Sequence, residues 1–166
     1  MAAMRLKRAE APNEFPVLSI PFLLRLEELQ VNYISGYPAG RFKIANGNGT
    51  QTPLYAIHGE KLDIAKVANS ERQSFAQGHI HRIAQHSQTY EIGGQPHFVQ
   101  AFSAGCLCRI DGAVPSTKSG TDEHGTPLTR WEAWQQGVAV VTEHENGYWQ
   151  AEIVPIYSGN AMFRGE

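Results

Sequence analysis

Three histidines stand where apolar stretches of this sequence end. His58 closes "PLYAIHG" (53–59), and His79 and His81 follow "QSFAQ" in the run "GHIHR". A neutral imidazole offers a nitrogen lone pair, and three of them make good ligands for zinc, manganese or iron. Gly59 and Gly78 flank the first two and let the backbone come close or take positive φ. An H-x-H pair is also common among surface and satisfied core residues. The pattern alone therefore leaves metal binding and plain packing both open. His86 and His97 lie in or beside polar strand segments, His124 in a Gly-rich stretch, and His144 between two glutamates in a turn. These four read as solvated side chains.

The elements around the three histidines suit a site. "PLYAIHG" reads as a buried strand, "EKLDIAKVANSE" (60–71) as a helix with Leu62, Ile64, Ala65 and Val67 at helical spacing, and "QSFAQGH" (73–79) as the next strand. Strands joined by one helical crossover are commonly neighbours. Ligands collect at the carboxyl ends of such strands. His58 and His79 then lie side by side, and His81 faces the same place from the turn.

The rest of the chain extends this layered α/β pattern. "RLKRAEAP" reads as a short helical piece stopped by Pro12. "SIPFLLRLEELQ" reads as a helix, with Ser19 as N-cap, Pro21 in the first turn and a broad apolar face. "VNYIS" (31–35) and "GRFKIA" (40–45) read as strands, and "NGNGT" (46–50) as a turn. Further strands fall near 87–92, 97–103, 137–143 and 148–155. Gly93-Gly94 makes a hairpin turn. Residues 111–129 form a long surface loop rich in Gly, Pro, Ser and Thr. "RWEAWQQG" (130–137) places two tryptophans on one turn, where they pack onto the sheet.

Composition narrows the function classes. The chain has 166 residues, 14 Lys and Arg against 16 Asp and Glu, and a formal net charge of -2. That length suits a single domain, residues 1–166, with one core. A dedicated electrostatic nucleic-acid binder would be more basic. No apolar run approaches the roughly 20 residues that span a bilayer. "MAAMRLKRAEAPNEF" lacks the apolar stretch of a secretory signal. The only cysteines, Cys106 and Cys108, share a strand face, where a disulfide would need unusual geometry. They read as packed thiols in a reducing, cytoplasmic compartment. There is no G-x-S-x-G elbow, no phosphate loop and no C-x-x-C.

"AIHGE" followed by "ERQSFAQGHIHRIAQHSQTY" and "VQAFSAGCL" resembles the last motifs of the calcineurin-like metallophosphoesterases, in the form common in bacteriophages and prophages. The resemblance runs over nearly the whole chain. G-H-x-H is short; the ordered set of strand-His-Gly, helix and strand-G-H-x-H is more specific. It implies a sandwich of two mixed sheets flanked by helices, with two divalent ions (manganese, iron or zinc) at the strand ends. His58 and His79 would bind one ion and His81 the other, and a metal-bound hydroxide would attack phosphorus in a phosphomonoester or phosphodiester. The family's G-D and G-N-H-[DE] motifs do not occur here, and no D-x-H precedes "AIHGE". The resemblance therefore implies the C-terminal part of such a domain, lacking the N-terminal strands, the bridging carboxylate and the catalytic histidine.

Two expectations follow. The first is a metal-dependent phosphoesterase in which this chain supplies the histidine half of the site, with nucleic acid among the conceivable substrates. The second is a non-catalytic remnant, or half of a split enzyme, acting as an interaction module. Either needs a partner carrying the front half or self-association, because an uncovered parallel strand leaves an apolar edge. No membrane partner is expected. A closed structural zinc site is disfavoured, since such sites use four ligands with cysteine prominent.

Overall fold

A computed structural model describes residues 19–36, 39–110, 122–124 and 133–165. The pieces expected at residues 1–15 and in most of the loop 111–129 lie outside them, as does Trp131. The chain divides into two compact units, Met1–Ser35 and Gly36–Glu166.

In the first unit, helix α1 (Ile20–Leu23) begins as its sequence dictates. The Ser19 hydroxyl accepts from the Phe22 amide at 3.3 Å, with Pro21 in the first turn. The helix ends after one turn instead of running to Gln30. Arg25 and Gln30 both take left-handed φ of 54°, a conformation that breaks a right-handed helix. Arg25 instead pairs with Glu28. "VNYIS" is not a strand. Among the described residues it has no neighbour on a ladder, and a strand needs one for its backbone groups.

The second unit is mixed α/β with two sheets. The larger has five strands in the order β1 (Arg41–Ala45), β2 (Leu54–Ile57), β3 (Ser74–Gln77), β5 (Gln95–Ala104) and β4 (Ile83–Ile92). Strands β2, β3 and β5 run parallel, while β1 and β4 pair antiparallel at the two edges. The smaller sheet is the antiparallel series β6 (Gln136–Glu143), β7 (Trp149–Tyr157) and β8 (Asn160–Ala161). No helix among the described residues is long and apolar enough to cross a membrane.

The two faces of the large sheet explain its sequence. Strands buried on both sides read as continuous apolar runs. On one face, Ile57, Phe75 and Ala101 meet Ile64, Val67 and Ala68 of helix α2 (Ile64–Glu71). That i, i+3, i+4 spacing forms a single stripe. On the other face, Leu54, Ala76 and Phe102 meet Trp149, Ala139, Val141, Ala151 and Ile153 of the small sheet. Helix α2 starts later than its pattern suggests, because Asp63 caps it by accepting from the Lys66 amide at 3.1 Å. Leu62 thus precedes the helix and is exposed.

The hairpin β4–β5 closes where expected, with Gly93 and Gly94 at φ 60° and 78°, the pair of positive values a type I′ turn requires. The expected apolar parallel edge is absent from the described sheet. "GRFKIA" folds back antiparallel along β2 and takes the edge itself. What stays uncovered is Phe42 and Ile44 of β1, next to a bulge between Lys43 and Ala45. Bulges are a common device at sheet edges.

Candidate metal centre

The crossover β2–α2–β3 brings His58 and His79 together at the carboxyl ends of two paired parallel strands. Ile57, the residue before His58, is opposite Gln77 in the ladder. The Gly78 amide donates to Ile57 O at 3.0 Å and holds the two strand ends in step. The imidazole rings stand 5.2 Å apart between centroids, edge to face at 62°.

The backbone here is strained. His79 and His81 have φ of 65° and 50°, and a non-glycine residue held in that region costs about 1–2 kcal/mol. Between them, the Ile80 amide donates to Gly78 O at 2.7 Å in a tight turn. Ile80 itself is buried in the core beneath α2. The turn is thus pinned by one apolar anchor, with a histidine on each side of it. Gly59, at φ 71°, sits in a backbone conformation that strains any side chain, and a Cβ there would lie 2.8 Å from the Gln77 carboxamide carbon and push that side chain aside.

His58 has a fixed tautomer. Its Nδ1 lies 2.8 Å from Gly59 O. A carbonyl only accepts, so Nδ1 carries the proton and Nε2 the lone pair. Metal-binding histidines are commonly set this way. Two imidazoles bound through nitrogen to one tetrahedral ion, with bonds of about 2.0–2.1 Å, have centroids roughly 5 Å apart. The spacing of His58 and His79 fits that requirement.

His81 turns toward another part of the fold. Its ring meets the edge of Trp134 at 4.3 Å and 84°. The Gln135 amide donates to His81 O at 2.9 Å, and Gln135 Oε1 accepts from the Ile83 amide at 2.9 Å. Nδ1 of His81 is buried and has no hydrogen-bond partner among the described residues. Burial first, then the neighbouring His79 and His58, push its pKa below the ordinary imidazole value. That shift favours the neutral imidazole, the form that can bind a metal.

The acids near the histidines in sequence have other duties. Asp63 caps α2, and Glu60 lines a pocket beside Gly59. Among the described residues, no group of three or more His, Cys, Asp or Glu side chains is arranged to hold a metal ion. The histidine pair is the part that fits; a complete cage is not present in these residues.

Two features escaped the sequence reading. Trp134 contacts His81, a pairing the sequence did not suggest. Cys106 and Cys108 are free thiols, as expected, but half-buried rather than packed in the core. The Cys106 amide and thiol both donate to Gln135 O, at 2.9 and 3.6 Å. Burial and the adjacent Cys108 push the Cys106 pKa up to about 11. Only a long-range signal linking residues 81, 106 and 135 would have found this junction. Compared with known proteins, the chain matches no family profile, no curated protein and no solved structure.

Proposed function

We propose that this chain supplies the histidine side of a metal-dependent phosphoesterase site, with His58 and His79 sharing one divalent ion and His81, whose ring packs against Trp134, left to a second. The observation that carries the reading is the His58–His79 pair, 5.2 Å apart at adjacent strand ends, with His58 Nδ1 tied to Gly59 O. A divalent ion held there supplies Lewis acidity toward a phosphoryl oxygen and acidifies water. The protein's own part is orientation. The Gly59 carbonyl fixes the His58 tautomer, and the Gly78–Ile57 hydrogen bond sets the spacing of the two rings. The layered two-sheet fold with a flanking helix is compatible with the metallophosphoesterase sandwich.

Imidazoles are neutral ligands and do not offset the charge of two dications. The reading therefore assigns the carboxylate side of the site to another segment or to a partner chain. The specific observation favouring a second reading, a non-catalytic interaction module, is that no carboxylate completes the group among the described residues. The experiment is manganese-dependent hydrolysis of bis-p-nitrophenyl phosphate, with metal content by elemental analysis. Activity that needs manganese and is lost in His79→Ala supports the phosphoesterase. One weakly held ion, lost in His79→Ala, with no turnover supports the half-site. Undiminished metal binding in His79→Ala sinks the metal assignment.

A further inference from the structure

Beyond β5 the chain bends at Leu107 and Cys108 instead of continuing as strand. The bend brings two thiols together: Cys106 shares a hydrogen bond with the Cys108 side chain. Both cysteines are free and half-buried, and neither belongs to a hydrophobic core cluster among the described residues. Leu107, between them, is 71% exposed. The pair therefore stands at an outer turn rather than in core packing. The backbone beneath it is held at both positions. The Cys106 amide donates to Gln135 O at 2.9 Å, the Gly137 amide donates to Cys106 O at 3.2 Å, and Gln136 Nε2 donates to Cys108 O at 2.9 Å. A bend clamped in this way keeps the two sulfurs within reach of each other.

We propose that Cys106 and Cys108 form a reversible thiol–disulfide site that takes a small disulfide such as oxidised glutathione. The nucleophile in such an exchange is a thiolate. Burial and the Cys108 contact hold the proton on Cys106, and the Cys106 thiol also donates to Gln135 O at 3.6 Å. Cys108 is therefore the attacking residue. It gives up its proton, its sulfur bonds to one glutathione sulfur, and the other glutathione leaves as a thiolate that takes up a proton. Cys106 then attacks the Cys108 sulfur, and the second glutathione departs with the Cys106 proton. Two protein thiols become one disulfide, and one glutathione disulfide becomes two thiols. A ring closed through a single intervening residue needs unusual geometry, and strained disulfides are the readily reduced ones. That suits a reversible modification rather than a structural staple. Closure also removes the S–H that Gln135 O accepts, and the Gln135 amide donates to His81 O at 2.9 Å. The state of the pair thus reaches the His81 turn.

The test treats the whole reduced chain with oxidised glutathione and follows its intact mass. The expected product has lost the mass of two hydrogens, carries no glutathione, and returns to the dithiol in excess reduced glutathione. Cys106→Ser is expected to stop with one glutathione attached. Cys108→Ser, which keeps only the protonated thiol, is expected to react about tenfold more slowly or less. The ¹H–¹⁵N resonances of the His81 and Gln135 amides are expected to move on closure and to return on reduction. No reaction, glutathione retained on the native chain, a disulfide between two chains, or equal rates in the two variants overturns the site. Unmoved His81 and Gln135 resonances overturn its link to the histidine turn. None of these readings needs a metal, so loss of the metal assignment leaves the result standing.

Discussion

The two ends of the large sheet are built to opposite rules. At the amino ends of β2 and β3, buried polar groups are matched. The Thr52 and Ser74 hydroxyls lie 2.6 Å apart, and the Ser74 hydroxyl also accepts from the Gln100 amide at 3.0 Å. Gln51 gives and takes one hydrogen bond at 2.9 Å with the backbone of Trp149, whose indole N–H donates to Thr52 O at 3.0 Å. These contacts bind the two sheets into one body. At the carboxyl ends, Gln77 Oε1 and His81 Nδ1 are buried and have no partner among the described residues, and two histidines sit in left-handed backbone. Satisfied buried networks rigidify a fold, whereas strain and unmatched polarity gather where ligands act. One end is a matched network, and the other gathers the strain and unmatched polarity on which the proposed site rests.

The contrast is breakable by mutation. The largest effect is expected from Trp149→Ala, which empties a 3% exposed site between the sheets. It should cost about 3–5 kcal/mol, read as a lower urea midpoint. Gln51→Leu should follow at about 2 kcal/mol, because it leaves both backbone groups of Trp149 buried without partners. His79→Gly should do the reverse. It relieves the left-handed strain and should raise stability by up to about 1 kcal/mol, while abolishing metal uptake measured by elemental analysis. If His79→Gly destabilises the chain as much as Gln51→Leu, the contrast between the ends fails.

The smallest effect concerns pH. Cys106 keeps its proton to about pH 11 in the fold, above the value of an unfolded thiol. The folded state then binds more protons through this window. Stability from this group is complete below about pH 8.5 and is lost as pH rises toward the folded value. Alkylation of native Cys106 by iodoacetamide should be slow at pH 8 and accelerate toward pH 11. Fast reaction at pH 8 would show a thiol in open solvent.

The unit β2–α2–β3 was legible because each element carries a local signature. The apolar runs are strand-length, Ile64, Val67 and Ala68 repeat at helical spacing, and one crossover makes the strands neighbours. His58 and His79 were therefore readable as a pair. "SIPFLLRLEELQ" misled because its apolar positions imitate a helix face, while the backbone turns left-handed at Arg25. "GRFKIA" was read as a strand, but its role as the antiparallel cover of β2 depends on pairing that no local pattern encodes. His81 was half-readable. Its position in the turn was plain, but its contact with Trp134 depends on the return of the chain at Gln135. The Gln77 carboxamide was invisible, since nothing in "SFAQGH" distinguishes a buried glutamine from an exposed one.

The edge-to-face contact of His81 with Trp134 makes the molecule its own optical probe. An indole 4.3 Å from an imidazole has an emission that responds to whatever reaches that ring, whether a proton or an ion. Comparing the emission of the chain with that of Trp134→Phe would isolate this signal from the other tryptophans. Events at the histidines would then be followed in real time, without a label and without turnover.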